Sequence, residues 1–131
     1  MLVFLVRHAH SDPGDPDDLR ILSARGQEEA QTVAEQLAAH ATPPRLVLTS
    51  PLVRARQTAE HVGRATEAEV RVDERLAPGA TAELLREAVA GHDSPVAAVG
   101  HQPDCSEIAV ALTGQDPGFP PGGMAEIRLV S

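Results

Sequence analysis

Short apolar runs alternate along the chain with longer stretches in which apolar residues recur every three or four positions. The run Met1-Leu2-Val3-Phe4-Leu5-Val6 is unbroken, the pattern of a strand covered on both faces, and it stops at Arg7-His8. A segment rich in Asp, Pro and Gly over residues 11–18 reads as a solvated loop. Ser23 is placed to cap a helix that carries Ala30, Val33, Ala34 and Leu37 on one face, and Pro43-Pro44 ends it. Leu46-Val47-Leu48-Thr49 gives a second strand. Ser50-Pro51 reads as the N-cap and first residue of a second helix that runs to about Arg64.

Alternation over residues 69–73 predicts a third, more exposed strand, and Leu76-Ala77-Pro78-Gly79 a turn. Thr81 caps a third helix with Leu84, Leu85, Ala88 and Val89 turned inward. Residues 95–99 form another buried strand that stops at Gly100-His101-Gln102-Pro103. Cys105, Ile108, Ala109 and Leu112 mark a last helix, closed by Gly114, and a Pro/Gly-rich segment over 116–123 leads to a final edge strand at 125–130. Strands alternating with helices predict one α/β domain over residues 1–131. The expected architecture is three-layer α/β/α, with a mostly parallel mixed sheet and an antiparallel C-terminal edge strand.

Composition narrows the picture. With 131 residues, 42% hydrophobic and 2% aromatic, the chain supports one core, built from Leu, Val, Ile and Ala. The formal net charge is −8, from 11 basic and 19 acidic residues, and every basic residue is Arg. That balance argues against nucleic acid or a membrane surface as partner, because both reward a basic face. The one cysteine, Cys105, has no internal disulfide partner. No targeting segment is read ahead of the first strand and no apolar run is long enough to cross a bilayer, so a soluble cytoplasmic protein is expected.

Several chemistries are then set aside. A Gly-rich phosphate loop is absent, Cys105 is followed by a helix without Arg, and Asp15-Pro16-Asp17 lies inside a loop rather than directly after a buried strand. The four carboxylates of the 11–18 loop could chelate a divalent cation, although an acidic loop is more often simply solvated. His8-Ala9-His10-Ser11-Asp12 has the form of a binuclear metal site, but folds that use such a string need a longer chain, and Pro13 stands where another His normally follows. His8 as a nucleophile toward phosphorus is the remaining reading. Arg7, Arg20, Arg54 and His101 could converge on it, and the planar fork of Arg suits phosphate oxygens. The plainer alternative leaves Arg7 and His8 as a strand cap and a loop histidine, and Arg56 on a wet helix surface.

Arg7-His8-Ala9, Arg20-Ile21-Leu22-Ser23-Ala24-Arg25-Gly26, Ser50-Pro51-Leu52-Val53-Arg54-Ala55-Arg56-Gln57-Thr58-Ala59 and Gly100-His101-Gln102-Pro103 resemble, in order, the four signatures of the histidine phosphatase superfamily. Nearly the whole chain is covered, and its short length and Arg-His-Ala form resemble the SixA-type phosphohistidine phosphatases. The resemblance implies a phosphoglycerate mutase-like fold and a reaction needing neither cofactor nor metal. By the same resemblance, His8 is the phosphorylated nucleophile, Arg7, Arg20, Arg54 and His101 form the phosphate pocket, and His10 stands on its rim. The chain departs from the common pattern at Ala9 and His10, where Gly and Glu are usual, and at Pro78, where many members place a proton-donating Glu. Glu83 is the candidate for an acid supplied from elsewhere. A missing acid favours a leaving group that departs unaided, such as the imidazole of a phosphohistidine in a protein, over a sugar alkoxide. Small nucleotide or aryl phosphates are the alternative substrates, and a catalytically idle phosphate binder is the alternative function.

Overall fold

The computed structural model describes residues 1–130. Five strands form one sheet in the order β3-β2-β4-β1-β5: β1 (Leu2–Arg7), β2 (Leu46–Thr49), β3 (Glu69–Val72), β4 (Val96–Gly100) and β5 (Met124–Arg128). All neighbouring pairs are parallel except β1 with β5, which is antiparallel, as the C-terminal edge strand was expected to be.

Side chains alternate across β1 and sort into two cores. Leu2, Phe4 and Val6 face α1 (Ala24–Ala38) and α2 (Val53–Thr66), together with Val47, Ala97 and Val99 of the sheet. Val3 and Leu5 face α3 (Ala82–Val89) and α4 (Asp104–Thr113), with Leu48, Ala98, Leu85 and Ile108. The three layers follow from that alternation. Both faces of β1 are covered, which explains its uninterrupted apolar run. Burying such a side chain stabilises by about 1.5–3 kcal/mol, so β1, an interior strand between β4 and β5, is firmly anchored.

Residues 116–123, a connector by composition, have a structural task. Phe119 is buried in the core beside α4, and the backbone beyond it extends the ladder past β5: Arg7 N donates to Gly123 O at 2.9 Å, and Gly122 N reaches Arg7 O and His8 O at 3.2 Å. Leu84, expected to turn inward on α3, is only half-buried there.

One helix start differs from expectation. The N-cap of α2 is Leu52, without a side-chain cap, rather than Ser50. Ser50 still belongs to the sheet edge, since its N–H donates to Val99 O at 3.0 Å, and its hydroxyl is engaged elsewhere. Arg54 is consequently the second residue of the helix.

Candidate active site

The strand register gathers the chemistry. Because β1, β4 and β2 run parallel and Arg7 pairs with Gly100, the residues following each strand (His8, His101 and Ser50) emerge side by side at the carboxyl edge. From β1 the chain crosses to β2 on one side, whereas from β4 it crosses to β5 on the other. Their adjacent ends therefore form the switch point at which open α/β sheets bind ligands.

His8 Nδ1 lies 2.7 Å from Ala9 O. A carbonyl can only accept, so Nδ1 carries the proton and Nε2 presents a lone pair. That nitrogen faces Arg54 Nε at 3.4 Å. Burial first, then the nearby Arg54, Arg7 and Arg20 guanidiniums, push the His8 imidazole down to about 4, against the contrary pull of the Ala9 carbonyl. His101 is also pushed down to about 4, by burial, His8 and Arg54. Its Nε2 is 2.7 Å from Ser50 Oγ, and its ring centroid is 5.1 Å from that of His8. Both histidines are thus neutral near pH 7, and His8 has the protonation state of a nucleophile.

Three arginines line the same cavity as His8. Arg7 donates through Nη1 to Phe119 O at 2.8 Å, while its Nε is buried and without a protein partner. Among the described residues it is the only buried side-chain polar atom so left, and such an orphaned donor is unusual in a folded protein. Arg54 is buried in the first turn of α2. Arg20 is brought back over the site because its loop is closed at the base by a Ser11–Leu22 bridge and by Asp12 N donating to Ile21 O at 2.9 Å. Arg20 Nη2 donates to Ser11 Oγ at 2.8 Å and Nε to Asp12 O at 2.9 Å. A cavity of about 230 Å³ is lined by Arg7, His8, Ala9, His10, Ser11, Arg20, Arg54 and Pro121.

His10 is on that lining, its Nδ1 2.6 Å from Ser23 Oγ and its backbone N–H donating to Glu29 Oε1 at 2.8 Å. Glu83 is exposed in the first turn of α3 and is not part of the lining; Pro78 is exposed as well. No carboxylate side chain lines the cavity. Arg56 is exposed, as its helix position led one to expect. Among the described residues, no three His, Cys, Asp or Glu side chains gather to hold a metal ion.

Sequence reasoning assigned no role to Thr58 or Gln57, and considered Asp17 only within the acidic loop and the set-aside Asp15-Pro16-Asp17 string. Thr58 Oγ1 accepts from Ala9 N at 3.1 Å and donates to Arg54 O, tying the loop after β1 to α2. Gln57 Oε1 accepts from Leu22 N at 2.8 Å. Both lie within the quoted Arg-Gln-Thr run, and their order behind Arg54 was the available signal. Asp17 binds both Arg20 and Arg54; its spacing of three residues from Arg20 was the only hint.

Related chains match this one along most of their length. Uncharacterized protein Rv1276c of Mycobacterium tuberculosis (strain ATCC 25618 / H37Rv) is 34% identical over 140 residues, covering 95% of this chain and 87% of that one. The crystal structure of SixA from Agrobacterium tumefaciens matches with a TM-score of 0.82 at 29% identity, over 95% of this chain and 88% of that one. A protein histidine phosphatase SixA complexed with tungstate matches with a TM-score of 0.87 at 26% identity, over 98% and 88%. The family profile described as histidine phosphatase superfamily (branch 1) matches residues 3–78, and on that match and this fold the chain belongs to the histidine phosphatase superfamily, on its SixA-like side.

Proposed function

We propose that this chain is a metal-independent phosphatase that works through a phosphohistidine at His8, and that its substrate is phosphohistidine carried by another protein. The observation that carries the reading is the fixed His8 tautomer: Nδ1–H is held by Ala9 O, and Nε2 is aimed at the arginine-lined cavity. In the first step Nε2 attacks phosphorus, a P–N bond to His8 forms, and the P–N bond to the substrate imidazole breaks. The electron pair of that bond leaves on the imidazole, which departs neutral when its other ring nitrogen holds a proton. Water then attacks the phosphoryl group, the P–Nε2 bond breaks with its pair returned to His8, and the water's proton leaves with phosphate.

Transfer between two imidazoles is nearly balanced in energy and calls for no acid, in agreement with a cavity that no carboxylate side chain lines. Arg7, Arg20 and Arg54 supply the positive charge that a phosphoryl group requires as it transfers. Their enclosure in a protein of net charge −8 makes the cavity an isolated anion site. The SixA structure complexed with tungstate, an oxyanion, is a relative whose ligand fits such a site.

A second reading, hydrolysis of small aryl or nucleotide phosphates, is favoured by Pro78, since an activated leaving group also departs without an acid. The deciding experiment compares the native protein with His8→Ala on a phosphohistidine-bearing domain, an aryl phosphate and a sugar phosphate. The proposal expects turnover fastest on phosphohistidine and radiolabelled phosphate trapped on His8. His8→Ala is expected to lose activity by roughly 10³-fold or more. Chelator should leave turnover unchanged, and vanadate should inhibit it. Undiminished activity in His8→Ala would overturn the nucleophile, and preference for the sugar phosphate would overturn the substrate class.

A further inference from the structure

Four carboxylates occupy the loop between β1 and α1, at Asp12, Asp15, Asp17 and Asp18, and one of them joins two of the pocket arginines. Asp17 Oδ1 accepts from Arg20 Nη1 at 3.0 Å, and Asp17 Oδ2 from Arg54 Nη2 at 3.1 Å. The Asp17 main-chain oxygen accepts from Arg54 Nη1 at 2.9 Å and from Arg20 N at 3.1 Å. One residue therefore holds two guanidiniums through three oxygens. As stabilisation this counts for little, since the Asp17 side chain is 59% exposed and exposed ion pairs are screened by solvent.

Orientation is another matter. A guanidinium has five N–H donors and two usable forks, one along Nη1 and Nη2 and one along Nε and Nη2. Asp17 takes the first fork of Arg54. The second fork, which contains Nε, is directed at His8 Nε2. The carboxylate thus leaves free the edge that a phosphoryl group on His8 would use, while fixing its angle. It also stands between two like charges that line one cavity and would otherwise push apart. Arg20 and Arg54 hold the Asp17 carboxyl below its usual range, so it remains ionised and is unsuited to the part of the missing general acid.

We propose that Asp17 is a positioning residue for phosphoryl transfer: it clamps Arg20 to Arg54 so that the Nε edge of Arg54 faces the phosphorus bound at His8. The proposal rests on the reading of His8 given above and names a residue that reading does not require. A clamp differs from a gate. A carboxylate that merely filled the phosphate site would have to leave before substrate entered, whereas this one sits on the outer edge of Arg54 and stays.

The test measures kcat and KM on an aryl phosphate for the native protein, Asp17→Ala, Asp17→Asn, Arg54→Ala and the Asp17→Ala/Arg54→Ala double variant, with vanadate and phosphate affinity by calorimetry. A fork tilted by about 1 Å should cost kcat roughly 10-fold or more in Asp17→Ala, with KM changed far less. Vanadate, which mimics the five-coordinate state, should lose more affinity than phosphate. Asp17→Asn, keeping one acceptor oxygen and no charge, should fall between. Asp17→Ala should add little to the loss already present in Arg54→Ala, because the one acts through the other. Unchanged kcat, additive losses in the double variant, or a rise in both kcat and phosphate affinity would each overturn the clamp, the last by showing a gate. Failure of the His8 reading is recognised separately, as native turnover that His8→Ala retains; vanadate affinity still reads the clamp in that case.

Discussion

The proposed nucleophile, His8, is prepared by one hydrogen bond and by its burial. Ala9 O fixes which ring nitrogen of His8 is free, and burial with three neighbouring cations keeps the ring neutral. Titration of the imidazoles by NMR should therefore find two histidines with midpoints near 4, and His8→Asn and His101→Asn should each remove one of the two. Midpoints at 6.5 for both would show that the arginines and the buried setting do not act on them as described. His8, Arg7, Arg20, Arg54 and His101 were legible in the sequence because each stands where an apolar run ends or a helix begins. Asp17 was not. A carboxylate in a loop that holds three others looks like any solvated acid until the path of the loop brings it against Arg54. Glu83 lies exposed and off the cavity lining: nearness in sequence to Pro78 carries no information about which way α3 faces.

The start of α1 fastens the loop after β1 as well as opening a helix. Ser23 Oγ accepts from Gly26 N at 3.0 Å and lies 2.6 Å from His10 Nδ1, while Ser23 N donates to His10 O at 3.0 Å. Gly26 has no room for a side chain, since a Cβ there would lie 1.9 Å from His10 O. Gly26→Ala must push the backbone of His10 and with it the cavity wall. A loss of about 1–3 kcal/mol is expected from such overpacking, measured by urea unfolding, with activity falling further than stability alone explains. A variant as stable and active as the native protein would show that His10 moves freely. Helices and strands were legible from periodicity; the beginning of α2 was not, because Ser50-Pro51 is a good helix start in isolation. Residue 50 is retained instead by the last rung of the β2–β4 ladder and by His101, long-range partners that no local pattern announces. The segment over 119–123 was misjudged in the same way, its Pro and Gly content concealing the backbone bonds that hold Arg7 and His8.

For the folded domain, the two buried histidines make stability depend on pH. Each has a folded value near 4 against an ordinary 6.5, so between these limits the unfolded chain binds protons that the folded chain refuses. Stability should be full above about pH 6.5 and fall as pH drops toward 4. Asp17, Glu69 and Asp73 are held below their usual range by arginine partners and add a loss in the same direction at lower pH. Urea midpoints measured at pH 7 and pH 4.5 should differ accordingly, and His8→Asn/His101→Asn should flatten the difference; a midpoint indifferent to pH in the native protein would refute it. The placement of β1 inside the sheet, paired on both sides, has one more consequence. His8 hangs from an interior strand covered on both faces, whereas Arg20 and Asp17 hang from a surface excursion closed at its base by the Ser11–Leu22 bridge and the Asp12–Ile21 backbone bond. Warming should melt that excursion first, so the protein would fall catalytically silent while its core amides remained shielded from exchange, and cooling would restore it without refolding.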